Sequence, residues 1–81
     1  MDERQARDLV EAVLKTVAPE ADLAGAEDET DLQDRMDLDS IDIEEFFAEL
    51  ERTAHVRIDE DDYPRVRTLG GAVAFLTSRP G

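Results

Sequence analysis

Residues 39–54 read DSIDIEEFFAELERTA, and this stretch decides the fold. Its apolar residues recur at steps of three and four, which places them on one face of an α-helix; they are Ile43, Phe46, Phe47, Leu50 and Ala54. Asp39 is a good N-cap, because its carboxylate can accept backbone N–H groups of the first helical turn. The pattern therefore predicts an amphipathic helix from Ser40 to about Thr53.

Apolar spacing of the same kind precedes and follows this stretch. It predicts a first helix from about Glu3 to Ala18, which Pro19 ends because the residue before a proline is biased away from helical backbone angles. A last helix starts after Thr68, a second candidate N-cap, and the glycine pair at 70–71 weakens its first turn.

The rest of the chain adds one short element. Residues 59–63 are compatible with a single helical turn, and no stretch alternates strongly enough between apolar and polar residues to predict a β-strand. We therefore expect an all-α fold, a small four-helix bundle with three main helices and one short helix. We expect it to form a single domain over residues 1–81.

The connection from Pro19 to Leu38 is long for a compact domain, at 20 residues. A loop of this length usually marks a functional segment or counts against the helix assignment. Four apolar residues are spaced to hold it against the bundle: Leu23, Leu32, Met36 and Leu38. We expect an ordered crossover between the first two main helices.

Composition narrows the classes of function. The 81 residues include 22 acids and nine Lys or Arg, for a net charge of −13, and residues 37–51 hold seven acids and no base. Such a charge repels nucleic acid and anionic membrane surfaces. No apolar run approaches the roughly 20 residues that span a bilayer. These features predict a cytoplasmic monomer with no nucleic-acid partner and no membrane insertion.

Catalytic and metal chemistry find little support in the sequence. Cysteine is absent, and the one histidine, His55, lies about 22 Å from Ser40 along a continuous helix. A nucleophile and its base must meet within about 3 Å, so a Ser–His pair is excluded. Acidic runs from Asp37 and from Asp59 lack the glycine and glutamate that a calcium loop needs. We expect a non-catalytic chain with no built metal site.

Ser40 and Ile41 are the candidates for a functional surface. Ser40 stands at the first helical position, where its hydroxyl should be solvent-accessible and where the helix N-terminus suits a phosphate ester. Serine is also a common residue at helix starts, so position alone leaves both interpretations open. Ile41 lies nearly opposite the apolar stripe, but single exposed apolar residues are common.

The segment LQDRMDLDSID at residues 32–42, followed by an acidic amphipathic helix, resembles the acyl carrier proteins. Their hallmark is Asp-Ser-Leu at the start of the second helix, and the likeness extends over the whole chain. Five positions depart from the family pattern. Asp37 replaces a usual glycine, which suggests a turn built differently, and Arg35 replaces a commonly acidic residue. Ile41 replaces leucine, Ala48 replaces a larger apolar residue, and Arg52 puts a base at the end of the acidic face. These departures favour a specialised carrier, such as one of a polyketide pathway.

The resemblance implies a cofactor and partners. Ser40 would receive a covalent 4′-phosphopantetheine arm from a phosphopantetheinyl transferase, which uses coenzyme A and magnesium. Asp39 would lie beside the magnesium ion and coenzyme A during the transfer. The thiol of the arm would hold acyl groups as thioesters for acyl-transferring and ketosynthase-type enzymes. Basic patches on these enzymes would contact Ile41, Asp42, Glu45, Glu49 and Glu51. The acyl chain would lie near Leu32, Leu50, Ile58 and Tyr63.

Three functions stay open at this point. The first is an acyl carrier of fatty acid or polyketide biosynthesis, which the acidic second helix favours. The second is an aminoacyl or peptidyl carrier, which bears the same arm but a different cargo. The third is an interaction module of the same fold in which Ser40 is never modified.

Overall fold

Helices account for the regular structure of residues 1–78, the part of the chain that the computed structural model describes. The elements in chain order are α1 (Glu3–Val17), α2 (Leu32–Arg35), α3 (Ser40–Ala54), a 3₁₀ turn (Glu60–Asp62), α4 (Tyr63–Val66) and α5 (Leu69–Thr77). Within these residues no strand forms, and Asp31 and Thr68 make an isolated antiparallel bridge. The all-α prediction with three main helices is confirmed, and α2 is an additional short helix that the sequence patterns did not indicate.

Side-chain caps set where the main helices begin. The Asp39 carboxylate accepts the Asp42 N–H at 2.8 Å, as predicted for the start of α3. Thr68 caps α5 in the same way, since its hydroxyl oxygen accepts the Gly71 N–H at 3.1 Å. At α1 the cap is Asp2, whose carboxylate and backbone N–H both bond to Gln5 in a reciprocal capping box.

The core lies where α1 packs against α3 and α5. Its largest fully buried side chains include Leu14 of α1, Phe46 and Leu50 of α3, and Phe75 of α5. Burial of this apolar surface is the main favourable term in folding, so the three long helices must form and pack together. Within residues 1–78 no helix combines the length and the apolar character needed to cross a membrane.

The crossover between α1 and α3 is ordered, as its apolar spacing predicts. Leu23, Leu32 and Leu38 are buried, and Met36 is half-buried. Polar contacts add to this anchoring, because the Arg35 guanidinium donates to the carbonyl oxygens of residues 22 and 24 at 3.2 and 2.6 Å. The base at position 35, unusual for the family pattern, therefore holds the crossover in place.

A second junction ties this crossover to the start of α5. The Leu32 N–H donates to the Arg67 carbonyl at 2.8 Å, and the Gly70 N–H donates to the Asp28 carbonyl at 2.8 Å. The two segments lie so close that a Cβ at Gly70 would come within 2.6 Å of the Asp28 Cβ. The close approach of these two segments explains why residue 70 is a glycine. The sequence alone predicted only that this glycine weakens the first turn of α5.

Candidate functional site

The turn before α3 brings Ser40 to the surface. Asp37 has φ = 52°, in the left-handed region that favours glycine, and Leu38 then enters the core. The Leu38 N–H closes the turn by donating to the Gln33 carbonyl at 2.9 Å. A glycine would adopt this backbone without strain, so Asp37 in place of the usual glycine does not require a different chain path.

Ser40 is the first residue of α3, and its side chain is exposed. The Asp39 carboxylate is bonded to the Asp42 N–H, and the Ser40 hydroxyl makes no hydrogen bond to any residue between 1 and 78. The positive end of the helix dipole lies at this point, together with N–H groups that the helix itself cannot satisfy. An accessible hydroxyl at such a position suits a covalently bound phosphate diester.

Ser40 lines a cleft of about 540 Å³. The other lining residues come from α3 and from the segments that face it: Asp31, Gln33, Ile43, Glu44, Phe47, Glu60, Tyr63, Pro64 and Arg67. The rings of Phe47 and Tyr63 stack with their centroids 4.3 Å apart. The cleft therefore combines an aromatic surface with several polar side chains.

Tyr63 keeps its phenol protonated at neutral pH. Burial raises the pKa of the Tyr63 hydroxyl above its ordinary value, and the negative charges of Glu60, Glu44, Glu51 and Asp59 raise the pKa further. A protonated phenol can donate a hydrogen bond. Among residues 1–78 the Tyr63 hydroxyl has no such partner, so it is available to a ligand in the cleft.

An ion pair between Asp31 and Arg67 forms part of the cleft wall. Arg67 donates from Nε and Nη2 to the same oxygen, Asp31 Oδ2, at 2.8 and 2.6 Å. The other oxygen, Oδ1, caps α2 by accepting the Asp34 N–H at 3.0 Å. Partial burial raises the pKa of Asp31, but the hydrogen bonds and the charge of Arg67 outweigh it, so the pKa is lowered overall. The pair is thus ionised at neutral pH.

The four residues predicted to lie near an acyl chain separate in the structure. Tyr63 lines the cleft, whereas Leu32, Leu50 and Ile58 are buried in the core and are not among its lining residues. A role for these three in sheltering an acyl chain stays a prediction. Sequence patterns missed Asp31, Gln33 and Arg67, because polar residues in short irregular segments have no periodicity that would group them.

The predicted docking residues of α3 also differ in their surroundings. Ile41 is 68% exposed and Glu45 is exposed, whereas Asp42 is half-buried. Glu49 forms an ion pair with Arg52 at 2.7 Å, and this hydrogen bond lowers the pKa of Glu49. The Glu51 carboxylate accepts the Ile58 N–H at 2.9 Å. Glu49 and Glu51 therefore have partners within the chain, and the first two turns of α3 present Ile41 and Glu45 to solvent.

Comparisons with known proteins agree with this geometry. Residues 4–76 match the family described as "Phosphopantetheine attachment site". The acyl carrier protein of Lactobacillus acidophilus is 32% identical over 62 residues, which cover 76% of this chain and 78% of the relative. Polyketide-8 synthase acyl carrier protein 2 of Streptomyces avermitilis is 32% identical over 81 residues, which cover all of this chain and 87% of the relative.

A solved structure has the same fold. The acyl carrier protein from Enterococcus faecalis superposes with a TM-score of 0.73 at 24% sequence identity, over 99% of this chain and 100% of the other. The exposed Ser40 hydroxyl at the start of α3 and the adjoining cleft fit the cofactor that the matched family binds covalently, 4′-phosphopantetheine. This chain therefore belongs to the acyl carrier protein family, whose members are carriers rather than catalysts.

Proposed function

We propose that this chain is an acyl carrier of polyketide-type biosynthesis and that Ser40 holds its 4′-phosphopantetheine arm. The observation that supports the attachment site best is the exposed Ser40 hydroxyl at the N-terminus of α3, which has no hydrogen-bond partner among residues 1–78. A polyketide role is favoured because the relative that aligns with all 81 residues is a polyketide synthase carrier. Asp37, Ile41 and Ala48, which depart from the common family pattern, favour a specialised carrier as well.

Attachment needs only a nucleophilic oxygen from this chain. The Ser40 Oγ forms a bond to the phosphorus of coenzyme A that bears the pantetheine. The bond from that phosphorus to the bridging oxygen breaks, adenosine 3′,5′-bisphosphate leaves, and the hydroxyl proton passes to a base of the transferase. The positive end of α3 stabilises the negative diester that results. Asp39 holds the first turn in place through its bond to Asp42. The bound arm supplies the thiol that this cysteine-free chain lacks.

Partner enzymes would dock on the first two turns of α3, through Ile41, Asp42 and Glu45. A carrier must meet several enzymes in turn, and long-range charge attraction gives fast encounter without a large, tight interface. Basic patches on a phosphopantetheinyl transferase and on ketosynthase-type enzymes would complement these acids. We expect smaller contributions from Glu49 and Glu51, since both carboxylates are already engaged within the chain.

Intact-protein mass spectrometry tests the attachment site. The protein is incubated with coenzyme A, magnesium and a broad-specificity phosphopantetheinyl transferase, as wild type, Ser40→Ala and Ser78→Ala. Ser78 is the matched control, since it is the other serine of the chain and is exposed. Wild type and Ser78→Ala should each gain one arm, and Ser40→Ala should gain none. Modification of Ser40→Ala, or no gain by folded wild type, contradicts the assignment.

The pathway is tested on the modified protein. After loading with a malonyl group, it is offered to the ketosynthase of a polyketide pathway and to that of fatty acid synthesis. We expect faster condensation with the polyketide enzyme. Faster condensation with the fatty acid enzyme would assign the chain to that pathway instead, and loading by an amino-acid-adenylating enzyme alone would make it an aminoacyl carrier.

A further inference from the structure

Arg35 joins the two halves of the crossover between α1 and α3. It is the last residue of α2, and its guanidinium donates from Nε to the Asp22 carbonyl at 3.2 Å and from Nη2 to the Ala24 carbonyl at 2.6 Å. In the part of the chain that the structure describes, these two hydrogen bonds are the only ones between residues 18–26 and residues 32–40. Because the guanidinium is planar and binds both carbonyls at once, it fixes how the two segments lie relative to each other.

The first of these segments is itself held to α1. The Leu23 N–H donates to Glu11 Oε2 at 3.2 Å, and Arg7 Nη2 donates to the Leu23 carbonyl at 3.2 Å. The Leu23 side chain is buried in the core. Both carbonyls that Arg35 binds adjoin Leu23, so residues 22–24 connect Arg35 to α1, which packs against α3 and α5.

The second segment leads directly to Ser40. The turn after α2 passes through the left-handed backbone of Asp37, and the Leu38 N–H then donates back to the Gln33 carbonyl of α2 at 2.9 Å. The chain path into α3 is therefore bonded to α2. Since Arg35 ends α2, its two bonds hold the turn that brings Ser40 to the surface.

Packing alone supports this turn only in part. A gap of about 360 Å³ lies between residues 18–21, where the crossover begins, and residues 35–37. Met36 is half-buried, and side chains that border a gap lose the attractive contacts that close packing would give them on that side. The hydrogen bonds of Arg35 therefore restrict a segment that the core does not restrict by itself.

We propose that Arg35 is a positioning residue for the transfer of the phosphopantetheine arm to Ser40. Arg35 acts through the turn before α3, which it keeps in one arrangement, so that the Ser40 hydroxyl meets the phosphorus of coenzyme A without prior rearrangement. Misplacing a reacting group by about 1 Å can lower a rate by roughly 100-fold. Asp42 and Glu45, which attract the transferase, lie on α3 and outside the bonds of Arg35. The inference rests on the function proposed for Ser40 and adds a residue on which that reaction depends.

Steady-state kinetics of the transfer test this role, with mass spectrometry to count the arms attached. Arg35→Met keeps the apolar stem but loses both donors, so it should lower kcat by roughly tenfold while KM stays within about twofold. Arg35→Lys retains a cationic donor and should recover part of this loss. Arg4→Met is the matched control, because Arg4 is exposed on α1 and has no hydrogen-bond partner among the described residues. It makes the same change in net charge and should react as wild type does.

Circular dichroism first verifies that each variant is folded. Equal kcat values for Arg35→Met and Arg4→Met would overturn the inference, and so would a loss that appears in KM alone, since that would be an effect on docking. NMR relaxation of wild type needs no variant: the ¹⁵N order parameter of Arg35 Nε should exceed that of Arg4 Nε. Equal mobility of the two side chains would also contradict the role of Arg35. Absence of any transfer to folded wild type would instead overturn the function proposed for Ser40.

Discussion

The carboxylate of Glu51 accepts the backbone N–H of Ile58 at 2.9 Å, seven residues further along the chain. The Glu51 carbonyl also accepts the N–H of His55 and, at 3.2 Å, the N–H of Val56, so one residue accepts three hydrogen bonds from the segment that leaves α3. This segment places Ile58 in the core before the chain turns toward the cleft. Glu51 therefore stabilises the exit from α3, a role that its place in an acidic run does not indicate.

Replacing Glu51 should destabilise the fold. Glu51→Ala leaves the part-buried Ile58 N–H without its acceptor, and we expect the free energy of unfolding to fall by about 1 to 2 kcal/mol. Glu45→Ala is the control, because an exposed surface substitution usually changes stability by less than about 0.5 kcal/mol. Urea denaturation followed by circular dichroism gives both values. Equal losses for the two variants would argue against a stabilising role for Glu51.

The left-handed backbone at Asp37 predicts a specific order of stabilities. A β-branched residue is strained at φ = 52°, so Asp37→Val should lower the free energy of unfolding by about 1 to 2 kcal/mol. Asp37→Gly should not lower it, since glycine adopts this conformation freely. Thermal unfolding of the three proteins would show the order. A valine variant as stable as wild type would mean that the turn can take another path.

Gly71 is required by a close backbone approach. A Cβ at this position would meet the carbonyl oxygen of Arg65, which cannot move aside as a side chain can. We expect Gly71→Ala to destabilise the protein by about 3 kcal/mol or more. Gly25→Ala is the contrast, because the space around Gly25 is open and its cost comes from φ = 79° alone, about 1 kcal/mol. Chemical denaturation of both variants measures their free energies of unfolding. A smaller loss for Gly71→Ala than for Gly25→Ala would contradict the prediction.

The ion pair between Asp31 and Arg67 predicts a pH dependence of known sign. The pKa of Asp31 is lowered in the folded protein, so the pair stabilises the fold above the ordinary carboxylate pKa. This contribution is lost as the pH falls through the lowered pKa. Asp31→Asn retains a capping oxygen but has no charge. The difference in the free energy of unfolding between wild type and Asp31→Asn should therefore be largest at neutral pH and should shrink in acid. A difference that does not change with pH would contradict the stabilising role of the ion pair.

Charge reversal tests the docking surface. The double variant Asp42→Lys/Glu45→Lys should lower kcat/KM for phosphopantetheinyl transfer at low salt by roughly tenfold, because it removes the attraction that steers encounter. It should also weaken the dependence of the rate on salt. The double reversal Glu3→Lys/Asp8→Lys on exposed positions of α1 makes the same change in net charge and serves as the control. A similar loss in this control variant would place the docking surface elsewhere.

Local patterns were enough to find the main helices, whereas Ser40 became the candidate attachment site only through the resemblance of residues 32–42 to the acyl carrier proteins. Asp39 and Thr68 act on N–H groups three residues away, so their capping roles are visible in the sequence itself. The exposure of Ile41 also follows from helical periodicity, which depends only on spacing along one element. The short helix α2 escaped detection, since four residues are too few to display a period.

The cleft depends on contacts that no local pattern encodes. Asp31 and Arg67 are 36 residues apart, and they meet only because the crossover packs against the start of α5. Glu49 and Glu51 look alike in the acidic run, yet one pairs with Arg52 and the other holds the Ile58 N–H. Helix identity follows from interactions within a few residues. The hydrogen-bond partner of a polar side chain depends instead on which distant segments pack beside it, and that packing requires the whole core.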